Sequence, residues 1–157
     1  MASRHSPVMA LPLSFLVAFV LAVLPLPQAL SYWRPEFVVM VLVFWILNAP
    51  GLVGVWSGFL VGILLDGLLG TPFGVHPMVL AVVAYLTRLS WRRVAVFSIW
   101  QTSSLVMALV FAGLLVKRVL LGIVALPPQS LLYWLPALTS ALLWPTVMVS
   151  LRRFTQR

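Results

Sequence analysis

The sequence predicts an all-α polytopic membrane protein of about six transmembrane helices with both termini cytoplasmic, and three observations carry that prediction. The first is composition: 63% of the 157 residues are hydrophobic and 8% are charged, where a soluble domain has roughly a quarter of its residues charged. The second is punctuation, because Pro, Gly and basic residues cut the apolar sequence into runs close to crossing length. The third is the placement of the ten basic residues, which gather in short clusters beside those runs. The length leaves room for one integral membrane domain, 1–157, and no separate soluble domain.

The first candidate helix runs from about Val8 to Leu24 and stops at the breakers Pro25 and Pro27. Arg4 ahead of an apolar run resembles a signal peptide, but Leu24-Pro25-Leu26-Pro27 is a poor cleavage site, so the segment is expected to be retained. The second begins after Arg34-Pro35, with Pro35 suited to a first turn, and reaches about Leu47 before Asn48-Ala49-Pro50-Gly51. It is short for a crossing. The third spans about Gly51 to Leu69, and Gly70-Thr71-Pro72-Phe73-Gly74 turns the chain into a fourth, from Val75 to Leu89. A basic loop, Arg88 to Arg93, is expected next. The fifth runs from near Val94 to about Val116, after which Lys117-Arg118 precede an apolar stretch ending at Pro127-Pro128. The sixth spans about Leu131 to Leu151, with kinks expected at Pro136 and Pro145, and stops at Arg152-Arg153.

With both termini inside, Arg4, Arg88, Arg92, Arg93, Arg152, Arg153 and Arg157 fall on the cytoplasmic side, against Arg34, Lys117 and Arg118 outside. That imbalance obeys the positive-inside rule. A net charge of +8 therefore reads as topology and not as nucleic-acid binding. The absence of cysteine removes disulfides, thiolate nucleophiles and sulfur metal ligands.

Gly54, Gly58 and Gly62 recur at four-residue spacing in the third helix and form a stripe along which another helix can approach closely. Asp66 and Gly70 continue the stripe, so Asp66 should face protein. An intramembrane carboxylate is costly and is usually paired or functional. Under the proposed topology Glu36, Asp66, His76, Arg34, Lys117 and Arg118 all fall toward the outer rim. They predict a mixed-charge cluster, either interfacial pairing or a docking site, with Asp66 partnering Lys117 or Arg118 and Glu36 close to Arg34. His76 is expected to make a structural hydrogen bond, since one histidine and two scattered acids lack metal-motif spacing. Gln101, Thr102, Ser103 and Ser104 form a polar belt whose hydroxyls can bond backbone carbonyls while Gln101 bridges helices. The Trp and Tyr residues, including Tyr32-Trp33, Trp91 and Tyr133-Trp134, fall mostly near span ends as an aromatic belt.

No catalytic, cofactor-binding or metal-binding set emerges. Ser57-Gly58 lacks the preceding glycine of an intramembrane serine protease, and Asp66 has no second aspartate to share a proton. Neither H-E-x-x-H nor a phosphate-cradling glycine loop occurs. The protein is expected not to be an enzyme.

Specific strings add a resemblance. Arg34-Pro35-Glu36-Phe37, an apolar helix ending at Pro50, Gly62 through Gly70 with Leu65-Asp66-Gly67-Leu68-Leu69-Gly70 inside it, then Gly74-Val75-His76, follow in order. The Tyr85 and Arg88 region and the Leu143-Trp144-Pro145 string before a basic tail complete the set. Together they resemble the rod shape-determining protein MreD family over nearly the whole chain. The resemblance implies a multi-pass subunit of the bacterial cytoplasmic (inner) membrane, in the elongation machinery that directs lateral peptidoglycan synthesis and maintains rod shape. It implies MreC as a direct partner, with MreB, RodA and the elongation transpeptidase in a larger complex, amid membrane lipids. It also implies an architecture similar to the substrate-binding subunits of energy-coupling-factor transporters. The family contributes no catalytic residue or cofactor. The leading expectation is a non-enzymatic scaffold that binds the membrane-spanning part of MreC through small-residue helix packing, with Asp66→Leu weakening that association. The alternative is a small-molecule or lipid-binding membrane subunit of a transporter energised by a partner ATPase, with Gln101, Asp66 and His76 as possible lining groups.

Overall fold

The structure, a computed structural model, describes residues 7–31, 33–124 and 131–156. Arg4, Tyr32, Pro127, Pro128 and Arg157, on which parts of the sequence reading fall, lie outside the described residues. Among the described residues there is no strand. The helices are α1 (Pro7–Val23), α2 (Gln28–Ser31), α3 (Phe37–Asn48), α4 (Val55–Leu69), α5 (Val75–Val94), α6 (Ile99–Val124) and α7 (Leu135–Gln156), the last preceded by a 3-10 turn at Leu131–Trp134. Two helical stretches, Ile99–Ile123 and Leu131–Thr155, are long and apolar enough to cross a membrane by themselves; the apolar runs Val8–Val23, Phe37–Asn48 and Val55–Leu69 are shorter.

The core is organised around α3. It is apolar on every face, and every residue from Val38 to Ile46 is buried, the pattern of a helix enclosed by other helices. α1, α5, α6 and α7 all pack on it. At about 1.5 Å per residue its twelve residues extend only about 18 Å, and irregular chain, exposed at Trp33, Gly51 and Leu52, continues at either end. The Glu36 N–H donates to Ser140 Oγ on α7 at 3.0 Å, the Ala49 N–H to the Trp45 carbonyl at 2.7 Å, and the Val53 N–H to the Ala49 carbonyl at 3.2 Å. Trp45 Nε1–H donates to Ser14 Oγ on α1 at 2.8 Å, tying late α3 to α1.

α4 and α5 pack at backbone distance, and the glycine stripe is the reason. A Cβ added at Gly62 would lie 2.4 Å from the backbone N and Cα of Pro77, and one at Gly58 would lie 3.0 Å from the Leu80 carbonyl oxygen. Gly54 faces the flexible Arg88 guanidinium. The pairs Gly62 with Pro77 and Gly54 with Arg88 also show that the two helices run antiparallel. Tyr133 Oη donates to the Leu114 carbonyl at 2.9 Å, and Phe111 stacks on Trp134 with centroids 4.6 Å apart, joining late α6 to the start of α7. Successive long helices thus alternate in direction. One end of the bundle gathers the C-termini of α1, α4 and α6 with the N-termini of α3, α5 and α7. The opposite end holds both described chain ends and Arg88, Arg92, Arg93, Arg152 and Arg153.

Several boundaries differ from those predicted. Arg88 to Arg93 is helical and not a loop: α5 continues to Val94, because Leu, Ser, Trp and Arg contain no breaker and arginines in a last turn suit the negative end of the helix dipole. α6 likewise runs through Lys117 and Arg118 to Val124, since both residues are good helix formers whose long stems lie along apolar surface. Gly51 to Gly54 is turn or irregular chain, and α4 begins at Val55. Pro136 falls in the first turn of α7, where no intrahelical donor is needed and no kink follows. The α2 turn, absent from the sequence reading, is a single four-residue turn.

Candidate functional site

The turn between α4 and α5 is built on Asp66. Its Oδ1 accepts from Thr71 Oγ1 at 2.7 Å, from the His76 N–H at 3.1 Å and from His76 Nδ1 at 2.6 Å. Its Oδ2 accepts from the Gly74 N–H at 2.9 Å. The carboxylate therefore caps the N-terminus of α5 from the preceding helix, satisfying backbone donors that a helix start leaves free and meeting the positive end of the dipole. Gly70 closes α4 with a left-handed φ of 65°, and Gly74 opens α5 with φ 105°, conformations that favour glycine. The strings Leu65-Asp66-x-Leu68-x-Gly70 and Gly74-x-His76 are thus two halves of one structure. Thr71, which the sequence reading passed over, completes it; its only sequence signal was a hydroxyl inside the Gly-Pro turn.

Asp66 does not pair with Lys117 or Arg118 as expected. Helix capping and His76, ten residues away, use its oxygens first. Among the described residues His76–Asp66 is the one contact within 4.0 Å between oppositely chargeable side chains. Nor does Arg34 pair with Glu36: the Arg34 guanidinium turns back to α1, donating to the Ala22 carbonyl at 2.5 Å and to the Leu24 carbonyl. A cation on the last carbonyls of a helix satisfies acceptors left without an intrahelical partner. Arg118 lies over the Trp134 ring, 5.9 Å from its centroid.

Four of the six residues grouped from the sequence share a cavity, while Asp66 and Arg118 do not line it. Arg34, Glu36, His76 and Lys117 line one cavity of about 310 Å³, together with Tyr133 and Ser31. Leu65, Leu69, Leu114 and Leu132 supply its apolar wall. His76 is 4% exposed; with Nδ1 donating to an ionised carboxylate, Nε2 is the ring nitrogen left for the cavity. The Arg34 Nε is buried and finds no partner among the described residues.

At the basic end, Ser98 and Gln101 form a capping box on α6: the Ser98 N–H donates to Gln101 Oε1 at 3.0 Å and the Gln101 N–H to Ser98 Oγ at 3.4 Å. Gln101 therefore serves its own helix and does not bridge to another. Thr102 donates to the Ser98 carbonyl and Ser104 to the Trp100 carbonyl, as hydroxyls in apolar helices do. Trp45 and Trp144 are core residues, 2% and 0% exposed, and not part of an interfacial belt. No group of three or more His, Cys, Asp or Glu able to hold a metal occurs among the described residues.

An apolar helical bundle with a closely packed glycine seam, a carboxylate-capped turn and a polar cavity at one end defines a helical membrane protein. The chain belongs to the MreD family: the family model described as rod shape-determining protein MreD matches residues 3–154. The rod shape-determining protein MreD of Haemophilus influenzae is 32% identical over 147 residues, which cover 91% of this chain and 88% of that protein. No solved structure matches. The family is one of rod shape-determining membrane proteins and is not a known enzyme family.

Proposed function

We propose that this protein is a non-enzymatic subunit of the bacterial cell elongation complex, crossing the cytoplasmic membrane six times with both termini inside, and that it supports lateral peptidoglycan synthesis by binding the membrane-spanning part of MreC. Family membership across nearly the whole chain carries the reading. The basic end of the bundle, which holds both described chain ends, is the cytoplasmic one by charge.

The structure changes which surface suits that partner. The Gly54, Gly58 and Gly62 stripe packs α4 on α5 within this chain, so it is not free to receive another helix. A long apolar groove of about 360 Å³ lies instead between α1 and α7, with Leu13, Val17, Leu21, Val147, Leu151 and Phe154 on its walls. Small residues Ser14, Ala18 and Ser150 line it among the exposed Leu13 and Val17, which suits the close packing of a single-span helix that van der Waals contact drives in a bilayer. The extended partners, MreB, RodA and the transpeptidase, are then reached through MreC.

Extraction of the tagged protein from native membranes in mild detergent, followed by mass spectrometry of near-stoichiometric companions, tests the reading. It predicts recovery of a single-span MreC-like protein with RodA and the transpeptidase. Recovery of an ATPase pair without them would replace it by the transporter subunit reading.

A further inference from the structure

The cavity at the outer end has charges of both signs on its walls and, among the described residues, no ion pair between them. Glu36 and Lys117 both line it, yet among the described residues neither is within 4.0 Å of an opposite charge. Arg34 contributes a second cation whose Nε is buried without a partner among the described residues. His76 Nε2 and the Glu36 carboxylate can accept hydrogen bonds, while Lys117 and the Arg34 Nε can donate them. A ligand of one sign would leave the other charges uncompensated in a low-dielectric site, where an unpaired charge is costly. A zwitterion satisfies both.

We propose that this cavity binds the headgroup of a phospholipid carrying a primary amine, the ammonium at Glu36 and His76 and the phosphate at Lys117 and Arg34. Two features favour a lipid over a free zwitterion. Leu65, Leu69 and Leu114 make one wall of the cavity apolar. Beside it, where α1 and α4 barely meet, an apolar groove of about 380 Å³ runs along Leu16, Phe19, Val20, Val23 and Leu68, a path for acyl chains. The amine follows from hydrogen bonding: Glu36 and His76 Nε2 accept, and a primary ammonium has three N–H groups to give, whereas a quaternary ammonium has none and relies on an aromatic cage. Among the described residues, Phe37 and Tyr133 are the phenyl or phenol rings that line this cavity, and the Tyr133 hydroxyl donates to the Leu114 carbonyl. This site goes beyond the scaffold role and does not depend on it.

The test uses the full-length chain alone, stripped of lipid in detergent, so that it is independent of any partner. Native mass spectrometry would compare phosphatidylethanolamine, phosphatidylcholine and phosphatidylglycerol of identical acyl chains, with water-soluble glycerophosphoethanolamine as a fourth probe. The expected result is retention of phosphatidylethanolamine about tenfold above the other two lipids, equivalent to about 1.4 kcal/mol, and no binding of the soluble probe at the same concentration. Glu36→Gln, melting as the parent protein does in detergent, should erase the preference over phosphatidylcholine. Equal retention of phosphatidylethanolamine and phosphatidylcholine by the unmodified protein would overturn the proposal whatever the variant does. Binding of glycerophosphoethanolamine as tight as that of the lipid would overturn the lipid assignment in favour of a soluble zwitterion.

Discussion

His76 Nδ1 lies 2.6 Å from Asp66 Oδ1, and the same carboxylate accepts from two backbone N–H groups at the start of α5. The relationship makes Asp66 a fastening of the α4–α5 turn before it is anything else. Asp66→Leu should lower stability by about 2–4 kcal/mol, because a cap worth about 1 kcal/mol is lost and buried donors are left unsatisfied. Thr71→Val, which removes one donor, should cost about 1 kcal/mol. Thermal melting in detergent measures both. If Asp66→Leu melts like the parent and yet fails to recover MreC, the carboxylate is a docking residue instead.

The glycine seam predicts an order of effects. Gly62→Ala should be the most damaging, since its Cβ would meet Pro77 backbone at 2.4 Å, followed by Gly58→Ala at 3.0 Å from the Leu80 carbonyl oxygen. Overpacking of this kind costs about 1–3 kcal/mol. Gly67→Ala meets nothing within 4 Å and should stabilise by up to about 1 kcal/mol through helix propensity. A melting series in which the three variants behave alike would refute the packing account.

Orientation can be read with single cysteines, because the natural sequence has none. Phe73 and Val96 are 83% and 84% exposed at opposite ends of the bundle. In intact cells whose outer barrier has been opened, Phe73→Cys should react with a membrane-impermeant maleimide and Val96→Cys should not. The reverse pattern would invert the topology.

Partner docking at the α1–α7 groove predicts that filling it displaces MreC. Val17→Trp and Leu13→Trp, both exposed on the groove wall, should reduce co-purified MreC severalfold while changing melting by less than about 1 kcal/mol, as surface substitutions usually do. A matched change on another lipid-facing surface, Leu60→Trp on α4, should leave recovery intact. Equal recovery from all three variants would place the interface elsewhere.

Much of this architecture was legible in the sequence because apolar runs and their punctuation are strong signals in membrane proteins. Pro25, Pro35 and Gly70 mark ends within a residue or two of the observed ones, where a missing donor or a left-handed turn stops a helix. Charge was a poorer marker: Arg88 to Arg93 and Lys117-Arg118 lie within helices, since a basic side chain ends a hydrophobic run without ending the hydrogen-bonded backbone. Topology grouped Arg34, Glu36, His76 and Lys117, which line one cavity at one end of the bundle, but it did not give the pairings. Asp66 chose local backbone donors over a distant lysine, and Arg34 chose the carbonyls of α1. Such choices depend on how close turns bring groups together, which spacing along one chain does not reveal. Ser140, the acceptor for the Glu36 N–H, is one of several hydroxyl residues in α7 and nothing in the sequence set it apart.

The enclosure of α3 has a consequence for biogenesis. Its neighbours include α1, made before it, and α5, α6 and α7, made after it, and the backbone N–H of Glu36, the residue just before it, is satisfied by Ser140, more than a hundred residues later. A nascent chain therefore holds α3 in provisional surroundings until α7 has been made. Chains interrupted before α7 should enter the membrane yet stay open to surveillance proteases, so that the packing of α7 serves as the checkpoint on the bundle.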